Sequence, residues 1–213
     1  MSMDMLEGKA EGVKDYGLER LIMLSDGVFA IAITLLAIEL HLPEHWDRTA
    51  VGLINAMWRE FFAYIISFLV IAVYWASHRR TFSRFRRSDG GLTAINFLIL
   101  GLITLLPFGS KLIAEGGPTG EPYLLYLGLI TAIGAANALL WAWAAFFTSI
   151  VDPKMPFGLR LVILLILLVV PTVMGGAGMM AHNPRNWWIM LLAAGFSFVI
   201  IGIRRRLGRK AGE

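Results

Sequence analysis

Four polar side chains occur inside or just before long apolar stretches, where a charge or an unpaired polar group is costly. Asp26 opens the segment SDGVFAIAITLLAIEL, His78 lies in WASHRRTF, and Asn96 lies in INFLILGLITLLPF. Arg20 precedes Asp26 by six residues. A carboxylate and an imidazole at membrane depth can relay protons, and the same groups can also join helices through hydrogen bonds. Both interpretations are open from the residue types alone.

The second apolar segment supplies partners for this set. Trp75, His78 and Phe82 are spaced so that they share one helical face. All four polar groups also lie near the same ends of their segments, if consecutive segments run in opposite directions. We therefore expect a hydrogen-bonded network that joins the first three helices.

Residues typical of enzymes and metal sites are scarce. His41 and His45 have the i, i+4 spacing of helical metal ligands, but Pro43 between them favours a loop without metal. The sequence has no cysteine, and the G-x-S-x-G, H-E-x-x-H and Walker A motifs are absent from it. We expect no enzyme activity, no cofactor and no fixed metal ligands.

The elements that must position these side chains are membrane-spanning helices. Of the 213 residues, 57% are hydrophobic and 16% are charged, whereas soluble domains are about one quarter charged. Apolar stretches close to the roughly 20 residues that cross a bilayer predict six spans. These are residues 20–42, 57–78, 92–114, 122–149, 158–180 and 187–203. The expected fold is an all-α membrane protein with six transmembrane helices in a single domain, residues 1–213.

Basic residues alternate between loops, and this pattern predicts the topology. Fifteen of the 19 Lys and Arg residues fall at one predicted side of the membrane: up to the first residue of the first span, in the second loop, in the fourth loop or the first turn after it, and after the last span. By the positive-inside rule, both termini are expected in the cytoplasm, with a segment 1–19 and a basic tail 204–213. The tail is expected to contact anionic lipid headgroups, and no nucleic-acid partner is expected.

One face of the first span combines aliphatic side chains with a hydroxyl group. On a helical wheel, with Leu35 at its edge, a narrow stripe contains Gly27, Ile31, Thr34 and Ile38. In a monomer such a stripe would face lipid or pack on another helix. Thr34 within it, and Glu39 near its outer end, favour a surface shared by several subunits, where the carboxylates attract cations to an entrance.

Three segments resemble a known family. RLIMLSDGVFAIAITLLAIEL, WASHRRTF and INFLILGLITLLPF are similar to the prokaryotic branch of the transmembrane protein 175 (TMEM175) family, the lysosomal and bacterial potassium channels. The family motif R-x-x-x-F-S-D is represented by Arg20, Leu24, Ser25 and Asp26, with leucine in place of phenylalanine. The resemblance covers the first three spans specifically, and the others only by number and topology.

The resemblance implies a homotetramer in which the first span of each six-span subunit lines a central pore. By position after the Ser-Asp pair, Ile31, Leu35 and Ile38 would form the constriction, and Thr34 would supply a hydroxyl ring implicated in selectivity. The resemblance also implies a helix-locking network, which comprises Arg20, Ser25, Asp26, Trp75, His78 and Asn96.

The combined prediction is a leak-like cation channel that prefers K⁺, located in the cytoplasmic membrane of a prokaryote. Its permeant partner would be K⁺, and its gate would be hydrophobic because a narrow aliphatic ring excludes water. The alternative is a proton channel or a proton-coupled transporter that uses Asp26 and His78.

Overall fold

The computed structural model describes residues 15–117 and 120–182, and the regular secondary structure in this part of the chain is helical apart from one isolated β-bridge. Five stretches in it are long and apolar enough to cross a membrane. The helices are α1 (Tyr16–Ile38), α2 (Ala50–Phe82), α3 (Gly90–Thr104), α4 (Leu106–Gly116), α5 (Gly120–Ala142) and α6 (Phe157–His182). The all-α membrane class is confirmed for these residues. The predicted sixth span, 187–203, and the tail 204–213 lie outside them.

Helix α1 lies four residues earlier than the predicted span 20–42. It begins at Tyr16 because Asp15 caps it, with the Leu18 N–H donating to Asp15 Oδ1 at 3.1 Å. It ends at Ile38, where His41 Nδ1 donates to the Glu39 carbonyl oxygen at 2.9 Å. This bond satisfies a backbone acceptor that the helix leaves open.

Helix α2 is longer than the predicted span 57–78. Thr49 caps its first turn by accepting the Gly52 N–H at 3.0 Å. Its 33 residues correspond to about 50 Å, which exceeds the roughly 30 Å hydrocarbon core. Met57, at the predicted start, has non-helical φ and ψ of −114° and 15°. The helix therefore consists of a short part before Met57 (residues 50–56), a kink at Met57 and a longer part that spans the membrane (residues 58–82).

The third and fourth spans each contain an irregularity. The third is divided into α3 and α4 at Leu105, and Pro107 in the first turn of α4 has no N–H to continue the ladder. The fourth continues from α5 into a π-helical turn, Trp143–Phe147. In the fifth span, Pro171 of α6 packs against Gly134 of α5, where a β-carbon would lie 2.7 Å from Pro171 Cδ.

The apolar core lies among α1, α2, α3 and α5. Its fully buried members include Phe29, Ile71, Ile99, Ile133 and Trp141. Helix α1 packs against α2, α3 and α4, whereas α6 packs mainly against α5. One face of α1 is therefore fixed by three neighbouring helices.

The loop 83–89, between α2 and α3, connects two distant parts of the chain. On one side, Ser88 N–H donates to Asp15 Oδ2 at 2.7 Å, next to the start of α1. On the other side, Arg86 N–H donates to the Ile150 carbonyl at 2.9 Å, and the Arg86 side chain pairs with Asp152. We call this segment the bridging loop.

Candidate functional site on the first helix

Helix α1 has a buried face and an exposed face. Its buried residues recur every three or four positions, as expected for a helix packed on one side: Leu18, Leu21, Ser25, Phe29, Ala32 and Leu36. The opposite face is exposed, with Ile31 at 58%, Leu35 at 38% and Ile38 at 66%. Gly27 and Thr34 share that exposed face. The predicted stripe therefore lies within the part of α1 that the described chain leaves uncovered, which also includes Met23 and Leu24.

A buried network joins α1, α2 and α3. Asn96 Nδ2 donates to Ser25 Oγ at 3.0 Å, and His78 Nε2 donates to Asn96 Oδ1 at 2.8 Å. Ser25 Oγ in turn donates to the Leu21 carbonyl at 2.7 Å. The three polar residues are almost fully buried, at 1% for Ser25, 3% for His78 and 0% for Asn96. Each of the three side chains therefore has a hydrogen-bond partner within the bundle.

Aromatic rings enclose the imidazole of this network. The His78 ring stacks on Phe82, with centroids 4.2 Å apart, and Phe29 of α1 lies 5.5 Å away. His78 and Phe82 share one face of α2, and this spacing brings their rings together. The imidazole is consequently held between α1 and the end of α2.

Asp26 forms a separate contact near the network. Trp75 Nε1 donates to Asp26 Oδ1 at 2.8 Å, and the Arg79 guanidinium lies 5.6 Å from the Trp75 ring centroid. Asp26 itself is exposed. Arg20 is exposed and takes part in neither contact. Five of the six residues expected in the helix-locking network therefore fall into two hydrogen-bonded groups.

Thr34 uses its hydroxyl proton within its own helix. Its Oγ1 donates to the Ile31 carbonyl at 2.8 Å. With the proton directed at the backbone, the oxygen lone pairs remain available on the exposed face. The side chain can therefore offer an oxygen acceptor in an otherwise aliphatic stripe.

Glu39 has a partner that the sequence reasoning missed. Lys111 Nζ of α4 lies 3.5 Å from Glu39 Oε2, with side-chain exposures of 51% and 40%. The sequence contains one indication of this contact, which is the position of Lys111 within the apolar third span. A charge at such a position normally has a function or a partner. Residues 15–117 and 120–182 contain no group of three or more His, Asp or Glu side chains placed to hold a metal ion.

The fold and the uncovered first helix define an all-helical, multi-pass membrane protein. A family model described as "Endosomal/lysosomal potassium channel TMEM175" matches residues 20–107, which hold the whole buried network. The resemblance to the TMEM175 family is thereby confirmed over residues 20–107. A potassium channel of Chamaesiphon minutus is 37% identical over 139 residues, 59% of this chain and 65% of the relative.

Further comparisons extend the likeness to fold and to animal proteins. A crystal structure of a TMEM175 homologue from Chamaesiphon minutus, described as a lysosomal potassium-selective channel, aligns with a TM-score of 0.63. Its sequence identity is 29%, over 86% of this chain and 98% of that chain. The human "endosomal/lysosomal proton channel TMEM175" is 25% identical over 141 residues, 64% of this chain and 27% of the human protein. The alignments cover 47% to 65% of the length of three bacterial channels.

Proposed function

We propose that this protein is a cation channel that prefers K⁺, with the pore formed by α1 helices from four copies of the chain. The rotational setting of α1 is the observation that carries the proposal. Bonds at Ser25 and Asp26 hold one face of α1 against α2 and α3. The opposite face, with Ile31 and Ile38, is left without a packing partner in the described chain. Convergence of four such faces on one axis would cover them.

The constriction of this pore would be hydrophobic. Ile31, Leu35 and Ile38 follow one another at intervals of about one helical turn, so copies around an axis would form successive aliphatic rings. Rings of this kind gate by excluding water, and conduction then depends on small changes in ring diameter. The Thr34 oxygen would provide a local acceptor between the rings.

Preference for K⁺ over Na⁺ follows from the cost of removing water. A narrow aliphatic passage with few oxygen ligands cannot replace a hydration shell, and K⁺ releases its water at lower cost than Na⁺. The expected preference is modest because only Thr34 offers a side-chain oxygen there. The names of the bacterial relatives support K⁺ as the permeant ion.

Replacement of Ile31 with asparagine tests the pore assignment. A polar ring would lower the dewetting barrier, so Ile31→Asn should raise K⁺ conductance in planar bilayers or proteoliposomes. Ile65→Asn is the matched control, because Ile65 is an exposed isoleucine of α2, at 53% against 58% for Ile31. Equal currents from Ile31→Asn and the unaltered protein would contradict the pore assignment. Reversal potentials under K⁺ and Na⁺ gradients measure the selectivity of the unaltered protein.

A proton channel that uses Asp26 and His78 is the second candidate. The name of the human relative favours it. The geometry divides the pair, however, since Asp26 binds Trp75 whereas His78 binds Asn96. Proton flux measured with a pH-sensitive dye separates the candidates. Flux that is abolished by Asp26→Asn, with no K⁺ current, would support proton transport.

The remaining features of the proposal concern location and topology. We place the protein in the cytoplasmic membrane of a prokaryote, with both termini inside and lipid headgroups as contacts of its basic segments. The support is the alternation of basic loops and the bacterial origin of the matched channels. Cross-linking in membranes and native mass spectrometry would test four copies.

A further inference from the structure

A cleft lies where α1 ends, and it combines charges of both signs. Its volume is about 300 Å³, and its charged lining comprises Glu39, Glu60, Glu115 and Lys111. Glu39 follows Ile38, the last residue of α1, and stands one turn beyond Leu35. The Glu39 carboxylate is therefore at the edge of the exposed stripe, at one end of the proposed pore.

Lys111 is the cation closest to Glu39 in this cleft, while Arg59 lies beside it and donates from Nη2 to the Glu115 carbonyl oxygen at 3.4 Å. Three carboxylates line the cleft, and Lys111 is the one Lys or Arg among its lining residues. The negative end of the α1 dipole lies beside Glu39 and adds to the negative potential. Lys111 Nζ approaches Glu39 Oε2 to 3.5 Å. Lys111 thus offsets the carboxylate that lies nearest to the stripe.

Stability does not account for this ion pair. Its members are 51% and 40% exposed, and exposed pairs contribute about 0 to 1 kcal/mol because solvent screens them and side-chain entropy opposes them. The ion pair therefore matters more for the electrostatic potential at the pore entrance than for stability. A fixed charge at a narrow entrance changes the local cation concentration, and dilute salt increases that effect.

We propose that Lys111 sets the conductance of the channel in dilute salt by neutralising Glu39 at the entrance. This inference rests on the proposed function, because it requires α1 to line an ion pathway. Without the lysine charge, Glu39, Glu60 and Glu115 concentrate cations at the entrance. With the lysine charge present, the local cation concentration at the entrance is lower in dilute salt.

The test uses the full chain in planar bilayers, with current entering from the Glu39 end. Lys111→Met removes the charge and keeps an unbranched stem, while Lys111→Arg keeps the charge. Lys154→Met is the matched control, because Lys154 is an exposed lysine in the loop before α6. Glu39→Gln removes the partner, and Glu39→Lys combined with Lys111→Glu exchanges the charges. Size-exclusion profiles verify that each variant is assembled.

The expected result is a salt-dependent change. In 10 mM KCl, where the Debye length is about 30 Å, Lys111→Met should raise the current about twofold or more, and in 1 M KCl the difference should vanish. Glu39→Gln should lower the current in dilute salt, and the charge exchange should restore it. Lys111→Arg and Lys154→Met should behave as the unaltered protein does.

Two results have different meanings. If the unaltered protein conducts K⁺ and Lys111→Met leaves the current in 10 mM KCl unchanged or lower, the role of Lys111 is overturned and the proposed channel stands. If the unaltered protein carries no K⁺ current at any salt concentration, the proposed function fails, and the role of Lys111 fails with it.

Discussion

Replacement of Asn96 with alanine should destabilise the helix bundle more than any other single loss of a polar group on α3. Asn96 is fully buried and forms two interhelical bonds, one with Ser25 at 3.0 Å and one with His78 at 2.8 Å. Such bonds in membrane proteins contribute about 0.6 kcal/mol on average and at most about 1.7 kcal/mol. The two bonds together therefore contribute about 1 kcal/mol.

The group left without a partner adds a second cost. Ser25 still donates to the Leu21 carbonyl after the change. The His78 Nε2 proton, in contrast, loses its acceptor, Asn96 Oδ1. A buried unsatisfied donor costs about 1 to 3 kcal/mol. Asn96→Ala should therefore lower the free energy of unfolding by about 2 to 4 kcal/mol.

Asn137 provides a matched control on α5. It is also buried, but its Nδ2 bonds only to the Ile133 carbonyl of its own helix, and its Oδ1 has no hydrogen-bond partner in the described chain. Removing an unpaired buried acceptor carries little cost, so Asn137→Ala should change the free energy of unfolding by less than about 1 kcal/mol.

The assay is reversible unfolding in mixed micelles, with SDS as the denaturant and tryptophan fluorescence as the signal. A double-mutant cycle with His78→Phe isolates the bond to the imidazole and should give a coupling of at least about 0.5 kcal/mol. Equal destabilisation by Asn96→Ala and Asn137→Ala, or additive changes in the cycle, would refute the reasoning.

Two further predictions concern packing and charge. Gly134→Ala places a β-carbon 2.7 Å from Pro171 Cδ and should cost about 1 to 3 kcal/mol in the same assay; Gly128→Ala on the same helix has no atom within 4 Å and should not destabilise. Hydrogen bonds, first from the Ser88 N–H and then from the Leu18 N–H, lower the pKa of Asp15. Its contribution to stability is therefore present at neutral pH and is lost as the pH falls through that lowered pKa. Asp15→Asn should reduce stability at pH 7, and the difference should disappear in strong acid; a constant difference across pH would contradict this assignment.

The sequence allowed prediction of the helices and of part of the candidate site. Apolar length identifies five spans of the described chain because lipid requires internally bonded helices. The grouping of His78 with Asn96 follows from equal membrane depth, since a polar group there needs a partner at its own level. Trp75 and His78 share one face of α2, and both side chains contact α1, at Asp26 and Phe29.

Other features depend on tertiary geometry that no local pattern contains. Glu39 and Lys111 are far apart in the sequence, and no spacing rule brings such residues together. The break at Leu105 could not be derived from Pro107 alone, because membrane helices also accommodate proline as a simple kink. Motif and depth group Arg20 with Asp26, but Arg20 takes no part in the Asp26–Trp75 contact, since contacts depend on the direction in which each side chain leaves the helix.

The bridging loop has a mechanical consequence for α1. It holds Asp15 at the start of α1 through Ser88, and it also holds the segment around Asp152 through Arg86. A movement of the segment around Asp152 would therefore shift the start of α1 through the bridging loop, with no binding partner in the proposed pathway beside Ile31. The bridging loop is thus a point from which the position of α1 could be changed without contact with the proposed ion pathway.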